Sequence, residues 1–360
     1  MYRLLLASLT IWFLVSCSGM TESAAPSRVS DATRIRHGYP YDGFVFGANL
    51  TGGNYPNGSV HIYGPGSYNE VIGGKNTELD EPLSVAVGPN GKIFVTEASS
   101  GLVLGYAPGS SGNVAPSTEI GYSGLATGPN LDVAFGPDGN VWVANYANFL
   151  SAGFGYIAAF PPGTNGNKAP VQSFESQHLN EPSGLTFDTA GNIYVANGVA
   201  VAKGYGILTF ASNASGPNAT PIAVLKEPMN SPSGQSDWFP WGVAVDSLYG
   251  SQCRTLVAGG WYTGKGKYGG AYWASGYEGR IMVWNQCPPK GTKDPDAFIT
   301  SSVFVYPRQI ALDSEGNIYV ADSGAGAIFE FSASAHENAT PVKTFSGGEP
   351  WGVAIGTQEH

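Results

Sequence analysis

Charge is scarce in this sequence. Only 12% of its 360 residues are Asp, Glu, Lys or Arg, about half the roughly 25% of an average soluble domain. Basic residues are the scarcer kind, 17 Lys+Arg against 27 Asp+Glu for a formal charge of −10. No basic patch appears, so no nucleic acid is expected as a partner, because phosphate neutralisation needs clustered Lys and Arg. The five histidines are His37, His61, His178, His336 and His360. They show no H-x-H or H-x-x-x-H spacing, which leaves histidine-based metal catalysis without a ligand set. No G-x-S-x-G elbow and no phosphate-cradling Walker loop occurs. No apolar run reaches the about 20 residues that cross a bilayer as a helix.

What is present is glycine and apolar bulk. There are 51 glycines, about twice the usual roughly 7% share, and they follow no period of three, which excludes collagen. Aromatic residues make up 12% and apolar residues 42%. That apolar content can bury a core, so most of the chain is not disordered. Many short strands joined by glycine turns fit this composition.

The first 17 residues read MYRLLLASLTIWFLVSC. Arg3 precedes an apolar run at 4–14, the length of a signal-peptide core. The end of that run, Leu14-Val15-Ser16-Cys17, resembles the bacterial lipobox. The resemblance implies a lipoprotein signal peptide at 1–16, cleavage before Cys17 and acylation of Cys17. An ordinary secretory signal with a chance cysteine is the alternative. Ser18, in a position where Asp would retain the protein at the inner membrane, favours the outer membrane by resemblance to Gram-negative lipoproteins. Residues 17–40 are rich in Ser, Ala and Thr without an apolar period, as in a flexible tether. The expected address is the bacterial cell envelope, with a membrane as partner through the lipid anchor. Cys253 and Cys287 remain, and two cysteines in an exported chain suggest one disulfide.

Internal repeats decide the fold. One phrase recurs as GFVFGAN, GKIFVTE, GNVWVAN, GNIYVAN, CRTLVAG and GNIYVAD, starting at 43, 91, 139, 191, 253 and 316. Five copies follow an apolar run: PLSVAVG, NLDVAFG, PSGLTFD, PWGVAVD and PRQIALD. A sixth run, PWGVAIG at 350–356, has no phrase after it, and the first phrase has no run before it. A third and a weaker fourth strand follow each phrase. The third-to-fourth connections share a look, as in GSSGNVAP, GTNGNKAP, SGPNATP and HENATP. Four strands in units of about 50 residues predict an all-β propeller of six blades over 41–360. The ring is expected to close by the 350–356 strand joining the N-terminal blade. Separate sandwiches, the alternative, would leave that strand without a partner. The inner run P-x-G-V-A-V-D followed by G-N-I-Y-V-A-D/N resembles the NHL repeat. It is similar, more broadly, to six-bladed propellers of the gluconolactonase and strictosidine-synthase type.

Strand direction places inner-strand starts and second-strand ends on one face, here the top. Candidate ligand-binding residues there are Glu81, Glu181, Trp241, Tyr306, Arg308, Glu349 and Trp351. Trp261 and Trp273 join them from the aromatic segment 261–279, whose bland reading is a hairpin packed on the blade edge. The second-strand ends Asn49, Glu97, Asn145, Asn197 and Asp322 are expected to brace their own loops. In blade five, Cys253 and Cys287 lie at neighbouring ends of antiparallel strands, where a bridge is geometrically feasible.

The gluconolactonase resemblance implies a divalent cation held by Asn or Asp just after the inner-strand proline. The matching residues here are Leu83, Leu131, Ser183, Trp241, Arg308 and Trp351, so that pattern is missing. No catalytic residue is assigned and no cofactor is expected. The three Glu, in a different register, could with Asn145 and Asn197 supply some of the oxygens that a divalent cation such as calcium needs. The reading favoured by the residues is a monomeric binding module for an envelope glycan, peptide or protein. The alternatives are a metal-assisted lactone hydrolase or lyase, and a purely structural envelope role.

Overall fold

The computed structural model describes residues 41–50, 58–124, 128–146, 155–198, 205–226, 238–247, 253–262 and 277–356. They form six antiparallel sheets arranged as the blades of a β-propeller. The inner strands, from blade one to blade six, are Pro350–Ile355, Pro82–Val87, Asn130–Phe135, Pro182–Phe187, Trp238–Asp246 and Pro307–Leu312. Each packs on the next, and the sixth packs on the first. The ring closes as the two incomplete repeats require: Pro350–Ile355 is hydrogen-bonded to Val45–Asn49, with Phe46 opposite Ala354 and Gly47 opposite Val353. One sheet thus holds both ends of the described chain.

Second strands such as Val141–Asn145, Ile193–Asn197 and Ile318–Asp322 are buried along their whole length. Their apolar runs do not alternate, because a neighbouring blade covers each face. Six apolar clusters fill the seams between blades, for example Phe46, Ile62, Ile72, Val95 and Tyr106 between blades one and two. Each large side chain so buried contributes about 1.5–3 kcal/mol. The repeated G-N-I-Y phrase is explained at the bottom turn. There Asp188 accepts from the Ala190 and Asn192 amides and from the Tyr194 hydroxyl. Asp313 repeats this with Glu315, Asn317 and Tyr319. The glycines that close these turns, Gly191 and Gly316, sit at φ +79° and +78°, where a side chain would be strained.

The connections that share a sequence look do a job not evident from the sequence. Each lays a short segment parallel to the outer strand of the preceding blade. Gly112 pairs with Ile72, Gly216 with Phe174 and Gly291 with Leu225, and Gly166–Asn167 pairs with Ile120 and Gly121. Outer edges expected to face solvent are thereby covered.

In blade five, Trp238–Asp246, Arg254–Tyr262 and Tyr277–Trp284 are longer than their counterparts, and Tyr262 pairs with Tyr277. The start of a hairpin is therefore present, as the bland reading of that segment had it. The expected Cys253–Cys287 bridge is not formed. Both are free thiols, hydrogen-bonded to each other, and burial with that neighbour pushes Cys287 up to about 12. The correction concerns the bond and not the placement, since the strands do bring the two sulfurs together. Cys17, with the signal peptide 1–16 and the tether 17–40, lies outside the described residues.

Candidate functional site

The residue after each inner-strand proline, or after Asn130 in blade three, faces the axial mouth. Leu83, Leu131, Ser183, Trp241, Arg308 and Trp351 line a pocket of about 30 Å³ there, with Gln309 beneath. Blades five, six and one are consecutive around the ring, so Trp241, Arg308 and Trp351 become neighbours. The guanidinium carbon of Arg308 lies 4.2 Å from the ring centre of Trp241 and 4.1 Å from that of Trp351. Tyr306 is farther out, at 5.9 Å. Arg308 is buried, 5% exposed, and its Nε donates to Ser323 Oγ at 3.1 Å. A desolvated guanidinium between two indoles gains about 2 kcal/mol or more. Glu349 accepts from Trp351 Nε1 at 3.3 Å, and Tyr306 stacks on Tyr277 with ring centres 4.9 Å apart.

The candidates therefore separate. Trp241, Tyr306, Arg308, Glu349 and Trp351 come together. Glu81 is exposed on the rim. Glu181 is elsewhere and half-buried, hydrogen-bonded to Tyr146, and burial pushes its carboxyl up to about 7. Trp261 pairs through its backbone with Trp238, and Trp273 lies outside the described residues. The second-strand ends brace loops, but mainly the segments that enter the inner strands, 16 or 17 residues upstream, rather than their own. Glu97 accepts from the amides of Asp80, Glu81 and Ser99. Asn197 accepts from those of Asn180 and Glu181, and Asp322 from those of Val305 and Tyr306.

One level down the axis is a group that the sequence reading passed over. The third inner-strand position carries Gly352, Ser84, Asp132, Gly184, Gly242 and Gln309 around the ring. Glycine is needed at three of these, because an added Cβ would sit 2.7 Å from backbone of the next blade's inner strand. Asp132 is the centre of the remaining three. It accepts from Ser84 Oγ, from Gln309 Nε2, from the Leu185 amide and, at 2.9 Å, from the Val133 amide. Burial pushes its carboxyl up to about 7 against the pull of those hydrogen bonds. Its signal was an Asp in the glycine position of P-x-G-V-A. Below this belt an axial channel of about 320 Å³, lined by residues such as Val85, Val133, Leu185, Val243, Ile310 and Val353, runs toward the bottom face.

A hard divalent cation needs about six to eight oxygen ligands. The mouth offers two Leu, two Trp, one Ser and a guanidinium cation, which does not fit such an ion. Among the described residues no three His, Cys, Asp or Glu side chains converge.

No protein-family model matches the sequence, and no curated protein does. Solved structures do resemble it. A putative 6-phosphogluconolactonase from Bacteroides uniformis is 13% identical with a TM-score of 0.56, over 86% of this chain and 84% of that one. A protein of unknown function from Bacteroides caccae is 14% identical with a TM-score of 0.52, over 87% and 98%. A Lactobacillus plantarum protein is 9% identical with a TM-score of 0.52, over 86% and 98%. At such identities the likeness is one of fold: the chain is a six-bladed β-propeller.

Proposed function

We propose that the top face is a recognition surface for an envelope ligand with one flat apolar face and polar edges. A sugar ring of a glycan suits it best. The observation that carries this reading is the Trp241–Arg308–Trp351 stack. It gives a rigid aromatic platform beside the apolar Leu83 and Leu131 and the polar Ser183 and Glu349. Aromatic faces with polar handles serve this kind of contact. A screen of envelope glycans and peptides by thermal protection tests it. At least one should raise the melting temperature of the wild type and leave Trp351→Ala unprotected, with the variant's circular dichroism unchanged. A screen without any protected case, or equal protection of the variant, opposes the proposal.

A second reading has one observation in its favour. Glu181 and Tyr146 form a half-buried carboxyl–phenol pair in which burial pushes the carboxyl up to about 7, a value suited to general acid–base work. The similar propeller from Bacteroides uniformis is described as a putative 6-phosphogluconolactonase, but one fold hosts unrelated activities. Hydrolysis of a lactone panel, lost in Glu181→Gln, would support a hydrolase. We also infer that the NHL-like domain is held at a membrane by lipid on Cys17. Metabolic labelling with a radioactive fatty acid, abolished in Cys17→Ala, is the expected result.

A further inference from the structure

Five of the six outer edges in this ring are closed by a segment of the following blade. On blade one, the Gly112 amide donates to Val71 O at 2.6 Å and Gly73 donates back to Gly112 O at 3.1 Å. On blade two, Lys168 donates to Gly121 O at 3.1 Å. On blade three, Gly216 donates to Ser173 O and Glu175 to Gly216 O, both at 3.0 Å. On blade four, Gly291 donates to Val224 O at 2.8 Å and Lys226 to Gly291 O at 2.7 Å. On blade five, Ala339 donates to Thr300 O at 2.8 Å and Asn338 to Thr300 Oγ1 at 2.9 Å. The residue at each crossing has a positive φ: +72° at Gly112, +78° at Gly166, +80° at Gly216 and Gly291, and +58° at Asn338. Each stands three to five residues before a proline, Pro116, Pro170, Pro221, Pro295 and Pro341.

Among the described residues the sixth edge has no such cover. The segment that should reach blade six would come from blade one, after its third strand Ser59–Tyr63. That strand turns back at once, with the Gly64 amide bonded to Tyr68 O at 3.0 Å, into the outer strand Asn69–Gly73. The outer strand of blade six, Lys343–Ser346, therefore shows its free edge. By register, Thr344–Phe345–Ser346 corresponds to Ser173–Phe174–Glu175 of blade three. Phe345 is buried like Phe174, while Lys343, Thr344 and Ser346 are exposed. The outward groups are the Thr344 carbonyl and the Ser346 amide, which are the pair that Gly216 engages on blade three. An unpaired strand edge is a template for another chain.

We propose that this edge is a docking site for an extended segment of a partner protein that carries Gly or Asn in the left-handed conformation a few residues before a proline. The five filled seams of this same molecule define the chemistry of the occupant. It is backbone in parallel pairing, with a residue that tolerates positive φ opposite Phe345. The site is on the rim of blade six and is independent of the axial mouth.

The test uses the folded protein and a synthetic peptide of residues 213–222, the segment that fills the blade three edge. Amide exchange is read by NMR. In the free protein the Ser346 amide should exchange at least tenfold faster than those of Glu175 and Lys226. Millimolar peptide should slow it and shift the Thr344 and Ser346 resonances. The same peptide N-methylated at its glycine, which lacks the donor, should leave both unchanged. Equal protection of Ser346 and Glu175 in the free protein overturns the proposal. So does the absence of any peptide effect, or an equal effect of the N-methylated peptide. Protection that rises with protein concentration alone would assign the edge to a second copy. Protection lost on removing residues 18–40 would assign it to this chain's own N-terminal segment. Either outcome replaces a partner as the occupant.

Discussion

Gln309 of blade six donates its side-chain amide to the Asp132 carboxylate of blade three, across the axis of the ring. Ser84 of blade two and the Leu185 amide of blade four close on the same carboxylate. One side chain therefore ties four blades together at the point where no strand pairing can. Asp132→Ala leaves the Gln309 and Leu185 amides without this acceptor, while Ser84 Oγ keeps Gln309 Oε1 at 3.3 Å, and each unsatisfied group costs about 1–3 kcal/mol. A loss of about 3 kcal/mol or more is expected, read as a lower midpoint in urea denaturation. A change below about 0.5 kcal/mol would show that the belt is dispensable.

The same residue gives stability a pH dependence of definite sign. Burial holds its folded carboxyl near 7, above the about 3.9 of an unfolded Asp. Between those values the native state keeps a proton that the unfolded chain has released. The contribution is complete below about pH 4 and is lost as the pH rises through about 7. Glu181, also raised to about 7 by burial, acts in the same direction. Subtracting the pH profile of Asp132→Asn from that of the wild type isolates the first group. The difference should show the wild type losing stability between about pH 4 and 7 relative to the variant and levelling off above that. A flat difference would contradict the assignment.

The fold was legible because its units repeat. Two orphan segments, 43–49 and 350–356, named their own partner, and pairing of Phe46 with Ala354 follows from that. The mouth was legible in composition but not in grouping. Trp241, Arg308 and Trp351 are far apart in sequence and meet because three consecutive blades present the same strand position. Asp132 was hidden inside an apolar run, NLDVAFG, where its environment depends on Ser84 and Gln309 from other blades. The seam pairings were hidden for a similar reason. The shared connector sequences were visible, but their partners lie on the outer strand of the preceding blade.

Arg308 and its indoles should behave as one unit. Arg308→Ala removes two cation–π contacts and the bond to Ser323, an expected loss of about 2–4 kcal/mol. Arg308→Lys keeps the charge but not the flat guanidinium and should recover less than half of it. A double-mutant cycle of Arg308→Ala with Trp351→Ala should give a coupling above about 0.5 kcal/mol in thermal denaturation. Additive losses would mean that the stack contributes no more than its separate packing.

Cys253 and Cys287 are adjacent thiols at the ends of a 33-residue stretch that carries the hairpin of blade five. Burial and the neighbouring sulfur push the Cys287 thiol up to about 12, so little thiolate forms there at neutral pH. An added oxidant is expected to close the pair, because the strands already hold the sulfurs side by side. Closing a loop of this length removes unfolded-state entropy worth about 3–4 kcal/mol. Intact mass spectrometry of the oxidant-treated protein should show a loss of two hydrogens, and a peptide map should join the two cysteines. The oxidised protein should melt higher than the Cys253→Ser variant, and reduction should erase the gap. Two alkylatable thiols after that treatment would sink the bridge and leave the pair as packing.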